Sequence, residues 1–458
     1  MKEKLVFPDW REVSPGYGKF LRYEFPVDAS PYGIRLKKHN PVIDEKPCIV
    51  CDKPWESYDC GAYTTVAKID GKYHLWYEPI SGTDIYNDFH ARLCLALSDD
   101  GINWEKPVIG VYEVEGTKEN NVVRPDPMLC DHGTVVLYDK NAPAQERYKQ
   151  VFTRIGGTGK HNKYLIGMTS PDGVNWTETG VVSYQGADTQ STLIYDTNIN
   201  KYVVYSKDRF TPTGDRRAIM RAVSDDFKEF TDCGVVVDPS MPTESPDTDL
   251  YTSAVTQWPG AKDAYVMFPS KYNRTTDKIS SHMATSRDGI KWCFPDSEPS
   301  IDNRPGMATM YMGVGVVDNE DGTWSHYFAA FGHSHNSALP LGGYAGSIHR
   351  ATFREDGYMS VRADSYGGFA TSRIFKLNDA DIMINGECEP SGYIKLEIVE
   401  RGWSTPIEGF SKDECKLEKA NGVWQRVSWA KPLSELDPDT EYRIKVYMYA
   451  SDLYAIKL

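Results

Sequence analysis

The stretch "SDDGINWEKP", residues 98–107, combines a Ser-x-Asp-Gly turn with a tryptophan three residues after the glycine. The same pattern returns as "SPDGVNWTET" at 170–179, "SDDFKEFTDC" at 224–233 and "SRDGIKWCFP" at 286–295. The copies begin 72, 54 and 62 residues apart, and a degenerate fifth copy, "FREDGYMSV", follows at 353–361. A turn that returns at such intervals indicates one supersecondary unit repeated along the chain.

Each unit has two further β-rich runs before its turn. The first unit has "GAYTTVAKI" at 61–69 and "KYHLWYEP" at 72–79, both rich in aromatic and β-branched residues. An Asp-Gly pair favours a tight hairpin between the next two strands. Four short antiparallel strands in each of five units predict a five-bladed β-propeller over residues 41–362, a fold that leaves few exposed strand edges. We expect the repeated tryptophan to pack between neighbouring sheets.

The Asp-Gly spacing stops after about residue 362. The later stretches "SGYIKLEIVE" at 391–400 and "EYRIKVYMYA" at 441–450 are typical of strands separated by Pro, Gly and Asp turns. They predict a C-terminal β-sandwich at 363–458. Residues 1–40 are expected to cover one end or edge of the propeller. The predicted fold class is therefore all-β, a five-bladed propeller followed by a sandwich.

Composition excludes several classes of protein. The net charge of −14 argues against nucleic acid or anionic lipid as the main partner. The sequence has no apolar run of membrane-spanning length and no segment typical of a signal peptide, so we expect a cytoplasmic protein without membrane contact. Nine cysteines, an odd number, fit reduced thiols. The pair Cys48 and Cys51 is better explained as a strand edge than as a metal or redox motif.

Acidic residues precede the first strand of four units, at the end that faces the propeller axis. They are Asp59, Asp131, Asp188 and the pair Asp247 and Asp249. Asp is common before strands because it caps turns, but four equivalent positions favour a carboxylate cluster. Glycoside hydrolysis requires one carboxylate that attacks or activates water and a second that protonates the leaving oxygen. Crowded carboxylates raise one another's pKa values, which keeps one of them protonated.

Other residues are candidates for substrate contacts. Trp55 and Tyr251 could stack on a sugar face, although core packing explains each equally well. Glu56 lies close to Asp59 in the sequence and is an alternative acid or a substrate contact. His333 and His335, in "FGHSHNS", could contribute a sugar hydrogen bond.

These motifs together resemble the five-bladed propeller glycoside hydrolases, the superfamily of families 32, 43, 62, 68 and 130. The two-domain layout is most similar to family 32, the β-fructofuranosidases. The resemblance covers about residues 40–458 and rests on "YHLWY" at 73–77, "ADTQ" at 187–190 and "ESPDTDLY" at 244–251. The stretches "DKPWE" at 52–56 and "SDLYAIKL" at 451–458 are similar to family-32-like bacterial proteins.

The resemblance implies a role for each acid. Asp59, upstream of "YHLWY", would be the nucleophile, with Glu56 or Asp52 as substitutes. Asp188 would stabilise the transition state. Glu244 would be the proton donor, and the two-residue insertion in its motif leaves Asp247 or Asp249 as alternatives.

The leading prediction is an exo-acting glycoside hydrolase on a furanoside, either a β-fructofuranoside or an α-L-arabinofuranoside, in short oligosaccharides. The alternatives are a glycoside phosphorylase and a carbohydrate-binding propeller without activity. No organic cofactor motif is present. We predict no metal-binding residues, although the resemblance allows a structural Ca²⁺ on the propeller axis. Carbohydrate is the expected partner, and a homo-oligomer formed through the sandwich is a further expectation.

Overall fold

The computed structural model of the protein describes residues 4–16, 30–82, 90–125, 131–156, 163–184, 188–208, 216–239, 245–337, 346–377, 381–401, 403–417 and 421–458. The chain forms two compact units. We call Asn40–Gln257 with Tyr265–Phe353 the propeller unit. We call Met1–His39 with Trp258–Ala264 and Arg354–Leu458 the C-terminal unit.

Within its described residues, the propeller unit has four separate four-stranded antiparallel sheets, which we call blades 1 to 4. Blade 1 contains Thr64–Ile69, Lys72–Tyr77, Leu93–Ser98 and Val122–Arg124. Blade 2 contains Asp131–Tyr138, Tyr148–Ile155, Lys163–Ser170 and Thr177–Ser183. Blade 3 contains Thr192–Asp196, Lys201–Asp208, Ala218–Ser224 and Thr231–Val237. Blade 4 contains Val255–Gln257, Tyr265–Met267, Ala284–Ser286 and Trp292–Cys293. The short strands Ile80–Ser81 and His90–Ala91 pair with each other, and Pro54–Glu56 and Ala144–Glu146 are 3₁₀ helices.

The fifth repeat belongs to a larger sheet of nine strands. Its own strands are Thr309–Met312, Thr323–Phe331 and Ser347–Arg354, with Val317–Asp318 paired to the second of them. Two strands from the beginning of the unit, Val42–Ile43 and Ile49–Val50, pair with the last one. The remaining strands are Thr248–Leu250, Ser270–Asn273 and Lys278–Ser281.

The propeller arrangement predicted from the sequence is confirmed, but the count of five separate blades is not. A parallel pair between Ile279 and Thr309 joins the fifth repeat to the strands around blade 4. Four sheets therefore stand as separate blades, and the fifth repeat is hydrogen-bonded into the nine-stranded sheet.

The repeated turn is held by side-chain hydrogen bonds to the backbone. The Ser98 hydroxyl accepts a hydrogen bond from the N–H of Gly101 at 2.9 Å. The Asp100 carboxylate accepts from the N–H groups of Ile102 and Asn103, both at 2.8 Å. Equivalent bonds form in the three copies that begin at Ser170, Ser224 and Ser286. Serine and aspartate are thus needed because they satisfy the turn's backbone donors locally.

The residue after the aspartate has a positive φ in each of these four copies. The angle is 72° at Gly101, 77° at Gly173 and 68° at Gly289. The third copy places Phe227 in this conformation, at 65°. Glycine is favoured here because it adopts positive φ without a steric cost.

The repeated turns also link neighbouring sheets. The hydroxyl of Tyr327, in the fifth repeat, donates to the carbonyl of Gly101 in the blade 1 turn at 2.6 Å. Trp104 packs edge-on against the same tyrosine, with ring centroids 5.3 Å apart. Blades 3 and 4 repeat the arrangement through Tyr205, Gly289 and Trp292. These two tryptophans therefore pack between sheets, as the sequence predicts.

The C-terminal unit contains one nine-stranded antiparallel sheet. Its central strand, Glu441–Lys457, pairs along one side with Ile382–Glu400. The other side pairs in turn with Phe375–Lys376, Gly368–Thr371, Met359–Ala363 and Lys4–Val6. Ile34–Lys38, Gln425–Ser428 and Lys416–Leu417 complete the sheet, and Trp10–Glu12 and Leu433–Glu435 are 3₁₀ helices.

One apolar core lies within this unit. Leu5, Leu396, Ile444 and Ile456 are among its buried residues. In the described residues, the strands predicted as a sandwich are hydrogen-bonded into this one sheet, and their buried side chains share this apolar core. The segment predicted as a cover supplies two strands of that sheet. In the described part of the chain, no helix is long and apolar enough to span a membrane.

Candidate active site

A cluster of tyrosines gathers side chains from separate repeats of the propeller unit. Tyr63 directly precedes the first strand of blade 1, and Tyr311 lies in the first strand of the fifth repeat. Their ring centroids are 5.8 Å apart. Tyr251 lies 5.7 Å from Tyr311 and 6.3 Å from Tyr272. Asp188 and Asp249 lie beside this tyrosine cluster, through Tyr63 and through Arg217 respectively.

Asp59 is buried in a tight loop beside blade 1. Its backbone pairs with Ile80, and its carboxylate accepts a hydrogen bond from the N–H of Gly61. Only glycine fits at position 61, because its φ is +80° and a Cβ there would lie 1.7 Å from the carbonyl oxygen of Glu78. Among the described residues, no lysine or arginine forms an ion pair with Asp59. Burial raises the pKa of Asp59 to about 7, although the bond from Gly61 lowers it.

Asp188 has the opposite environment. Lys163 donates to one carboxylate oxygen at 2.7 Å, and Lys207 forms an ion pair with the other. Burial alone would raise the pKa of Asp188, but the charge of Lys207 and the hydrogen bonds from both lysines hold it well below its usual range. Asp188 is therefore ionised at neutral pH.

The hydroxyl of Tyr311 experiences the charges of both acids. Burial raises the pKa of its hydroxyl well above the usual value, and the neighbouring Tyr251 and the charges of Asp188 and Asp59 add to this effect. The hydroxyl of Tyr63 also donates to the backbone carbonyl of Asp188 at 3.4 Å. Asp188 thus contacts the tyrosine cluster directly, and the charge of Asp59 acts on the hydroxyl of Tyr311.

Asp249 is also present beside the cluster, but it is saturated with arginine contacts. Arg217 contacts one of its oxygens at 2.6 Å, and Arg274 donates to both oxygens, at 2.8 and 2.9 Å. Although burial favours the neutral acid, these hydrogen bonds lower the pKa of Asp249. The guanidinium of Arg217 also lies 5.2 Å from the ring centroid of Tyr251. Asp249 therefore orients arginine against the tyrosine cluster and carries no proton to donate at neutral pH.

The two candidate histidines differ in their contacts. The Nδ1 atom of His335 lies 2.9 Å from the hydroxyl of Tyr311, and its ring meets Tyr251 edge-on at 4.7 Å. Burial, with the charge of Arg217, lowers the pKa of His335 to about 4, so the ring is neutral at neutral pH. His333 packs against Phe331 and directs Nδ1 to the carbonyl of Ser334. Of these two histidines, His335 is the one that contacts the tyrosine cluster directly.

Trp55 and Glu56 are predicted from the sequence as substrate contacts, but the structure buries both side chains. Trp55 is 3% exposed, and its indole donates to Asn121 at 3.0 Å within the core of blade 1. The carboxylate of Glu56 is buried and accepts from Tyr77 at 2.6 Å and from Lys106 at 2.7 Å. Both side chains are satisfied inside the protein, so they support the loop that carries Asp59 and have no face free for a sugar.

Asp247 directly precedes the strand Thr248–Leu250. The Asp247 carboxylate accepts a hydrogen bond from the hydroxyl of Ser245, an exposed turn contact. Hydrogen bonds from Ser245, Thr275 and Asn273 lower the pKa of Asp247, so it is ionised and unsuited to donate a proton. Glu244, the family-based proton donor, lies outside the described residues.

Three charged residues of the site escaped the sequence reasoning. Lys163 and Lys207 pair with Asp188, as described above. Glu78 is 3% exposed and accepts from the N–H of Gly133 at 2.7 Å and from the hydroxyl of Thr134 at 2.8 Å. A charged residue at the end of an apolar strand is the signal that could have found Lys207, in "YVVYSKD", and Glu78, in "LWYEP".

The described residues do not fit the structural Ca²⁺ that the resemblance allows. Ca²⁺ binds six to eight oxygen ligands, several of them carboxylates. Within the described ranges, no group of three or more His, Cys, Asp or Glu side chains could hold a metal ion. Lysine or arginine already occupies the oxygens of Asp188 and Asp249 that such an ion would need.

The arrangement can supply both charge states of a carboxyl group at one pH. Asp59 retains its proton up to about pH 7, whereas Asp188 is ionised. Two carboxyl groups with separated pKa values are the usual basis for assigning an acid and a base. At neutral pH one carboxyl group of the pair can thus donate a proton while the other stays negatively charged.

Comparisons with known proteins give structural neighbours only. No protein-family model matches the chain, and no curated protein matches it. Among solved structures, a glycosyl hydrolase from Bacteroides ovatus is 14% identical, covers 77% of this chain and 97% of its own, and has a TM-score of 0.46. A thermostable family-43 glycoside hydrolase is 12% identical, with coverage of 66% and 93% and a TM-score of 0.45.

A third structure comes from work on family 130, whose mannoside phosphorylases include glycoside hydrolases that target β-1,2 mannosidic linkages in Candida mannan. It is 14% identical, covers 69% of this chain and 97% of its own, and has a TM-score of 0.46. At these identities and TM-scores, the likeness alone assigns no activity to this chain.

Proposed function

We propose that the protein is a glycoside hydrolase with Asp59 as the proton donor and Asp188 as the ionised carboxylate. The observation that supports this proposal is the contrast between the two environments. Burial without a paired cation raises the pKa of Asp59 to about 7, whereas Lys163 and Lys207 keep Asp188 ionised. Hydrolysis of a glycosidic bond requires one carboxyl group in each of these states.

In the proposed reaction, Asp59 gives its proton to the glycosidic oxygen as the bond to the anomeric carbon breaks. The N–H of Gly61 fixes one oxygen of Asp59, which leaves the other to carry the proton. Positive charge develops on the sugar ring, and the carboxylate of Asp188 stabilises it. Water adds to the anomeric carbon to give the free sugar, and the proton that this water loses restores the acid form of Asp59. The two lysines hold that carboxylate in place and prevent its protonation.

This assignment changes two roles that the family resemblance implies. Asp59 would be the nucleophile by resemblance, but a raised pKa suits a proton donor. Asp249 was an alternative donor, but its two arginines favour a positioning role through Arg217 and Tyr251. Asp249, the third acid of the proposal, therefore positions Arg217 against Tyr251 in the tyrosine cluster.

The substrate in this proposal is a furanoside at the end of a short oligosaccharide, a β-fructofuranoside first and an α-L-arabinofuranoside second. This specificity rests on the resemblance of the sequence motifs to the propeller glycoside hydrolases, a superfamily that handles both sugars. A cytoplasmic location and a homo-oligomer stay predictions.

A glycoside phosphorylase is the second candidate because cations surround the two ionised carboxylates. Lys163, Lys207, Arg217 and Arg274 all lie within ion-pair distance of Asp188 or Asp249. Phosphate binding requires such positively charged donors. In that reaction inorganic phosphate, in place of water, would attack the anomeric carbon.

The test is cleavage of nitrophenyl furanosides and short fructans by the wild type, Asp59→Asn and Asp188→Asn, each with and without phosphate. We expect free sugar from the wild type and a loss of about 10²-fold or more in both variants. Asp59→Asn should lose least on dinitrophenyl glycosides, since that leaving group needs no proton.

Asp225→Asn is the matched control because Asp225 only forms a surface ion pair with Lys201. Formation of a sugar phosphate would show that the protein is a phosphorylase and not a hydrolase. Sugar binding by calorimetry without turnover of any glycoside would indicate a binding propeller and contradict the proposal. Equal activity of Asp59→Asn on all leaving groups would contradict its role as proton donor.

A further inference from the structure

Four cysteines share the apolar core of blade 1. Cys60 and Cys94 are buried there, and Cys48 and Cys51 pack against it half-buried. The sequence joins Cys48 and Cys51 in a CxxC motif, but the structure brings Cys51 to a different partner. The Sγ atoms of Cys51 and Cys60 lie 2.8 Å apart.

This separation is short for two free thiols. It is only about 0.8 Å longer than the bond of a disulfide, 2.03–2.05 Å. Bond formation would therefore need a small movement of the sulfurs and no rearrangement of the chain. The remaining contact of Cys51 is a long one, 3.9 Å to the carbonyl of Gly346, which does not compete.

The segment between the two cysteines is held at both ends. Glu56 accepts hydrogen bonds from the N–H groups of Asp52 and Lys53 and from the Lys106 side chain. At the other end, the backbone of Asp59 pairs with Ile80. These bonds fix the approach of Cys51 to Cys60 in the folded protein, so the pair is preorganised for a bond.

We propose that Cys51 and Cys60 form a reversible disulfide when the protein meets a peroxide. Cys51 would attack hydrogen peroxide first, which gives a sulfenic acid and one water. Cys60 would then attack the Cys51 sulfur, and a second water would leave as the disulfide forms. A dithiol such as dithiothreitol would return both thiols.

The order of the two steps follows from accessibility. Cys60 is fully buried, and its hydrogen bond with Cys51, together with burial, raises its pKa far above the usual value. Cys51 is partly exposed and is the thiol that a small oxidant can reach. Cys60 thus acts as the resolving thiol.

The bond would act on the candidate proton donor, because Cys60 directly follows Asp59 in the chain. A cross-link restricts the conformations of the loop that it closes. The oxidised protein should therefore show slower amide hydrogen exchange over residues 51–61 than the reduced protein. The proposal does not depend on the hydrolase assignment, since neither readout is an activity.

The test is thiol counting and peptide mapping of the intact protein after exposure to hydrogen peroxide. A protease that cleaves after glutamate separates residues 46–56, with Cys48 and Cys51, from Cys60. We expect two fewer alkylatable thiols and a covalent link between these peptides, both reversed by dithiothreitol. Slower exchange over residues 51–61 should accompany the link.

Cys48→Ser is the matched control, because Cys48 belongs to the same core but lacks the short contact. It should keep the link, and Cys51→Ser should lose it. Separate peptides after oxidation of the folded wild type would overturn the proposal, as would loss of the link in Cys48→Ser. If Cys51→Ser fails to fold, the map of the wild type with Cys48→Ser decides the matter alone.

Discussion

Lys207 forms an ion pair with Asp188, and its side chain is only 1% exposed. The lysine comes from the second strand of blade 3, and the aspartate precedes the first strand of the same blade. Its ammonium also lies 4.4 Å from the ring centroid of Tyr251. Burial of the Lys207 ammonium costs free energy of desolvation, and the ion pair with Asp188 offsets part of that cost. The pair therefore places both charges next to the tyrosine cluster.

Lys207→Met should raise the pKa of Asp188 and lower activity most at acidic pH. The folded-state pKa of Asp188 is depressed, so its stabilising contribution is present above the unfolded pKa and is lost as the pH falls. Without Lys207 that contribution shrinks, and we expect a loss of about 2–4 kcal/mol in the free energy of unfolding at pH 7. Urea denaturation and a pH–activity profile measure both effects.

Lys201→Met provides the control for this substitution. Lys201 lies on the same strand but pairs with Asp225 on the surface, where ion pairs contribute little. An equal loss of stability in both variants would argue against a special role for the buried pair.

Activity should fall as the pH rises above about 7. A proton donor works only while protonated, and the pKa of Asp59 is about 7. The decline of kcat/KM at high pH in the wild type should be absent from the residual activity of Asp59→Asn, measured with a dinitrophenyl glycoside. If kcat/KM of Asp59→Asn still declines at high pH, the titrating group is not Asp59.

Asp59 should also make the stability of the protein depend on pH. Its carboxyl group titrates near 3.8 in an ordinary environment and near 7 in the folded protein. Between these values the folded state binds more protons than the unfolded state, so the free energy of unfolding decreases as the pH rises. The Tm of Asp59→Asn relative to wild type should therefore increase between pH 5 and pH 8. A constant difference in calorimetry would contradict the raised pKa.

Trp55 and Tyr251 should respond differently to substitution. Trp55→Phe removes a buried hydrogen bond to Asn121, and we expect a loss of about 1–3 kcal/mol of stability with an unchanged KM. Tyr251→Leu removes an aromatic face from the tyrosine cluster and should lower kcat/KM by about tenfold or more. Denaturation and steady-state kinetics on both variants separate the two roles. A raised KM in Trp55→Phe would show that Trp55 contacts the substrate.

The sequence predicted the repeated sheets because their turns depend on local chemistry. Ser98 and Asp100 satisfy donors within five residues of themselves, so the pattern is visible in any copy. The blade count depended on one long-range parallel pair between Ile279 and Thr309, which no local pattern encodes. Pairing between distant strands is set by tertiary contacts and not by the turns.

The same limit applies to the site. The aspartates were predicted from their positions before strands, but their charge states depend on partners far away in sequence. Lys163 and Lys207 keep Asp188 ionised. Asp59 has no paired cation among the described residues, and burial raises its pKa to about 7. Trp55 was an equal choice between sugar stacking and core packing, and only its bond to Asn121 decides for the core.

Gly101→Ala should destabilise the protein more than Gly116→Ala. Both glycines have nearly the same positive φ, 72° and 75°, so alanine at either position meets a similar backbone cost of about 1–2 kcal/mol. A Cβ at Gly101 would lie 2.8 Å from the hydroxyl of Tyr327, whereas a Cβ at Gly116 would meet nothing within 4 Å. That Cβ would also lie 3.1 and 3.3 Å from two ring carbons of Tyr73 in blade 1, so the excess loss at Gly101 in urea denaturation measures crowding by both tyrosines. In Gly101→Ala, Tyr327→Phe should remove most of that excess, because it takes away the clashing hydroxyl. An excess that is unchanged in the double variant would assign the strain to Tyr73 or to the turn and not to Tyr327.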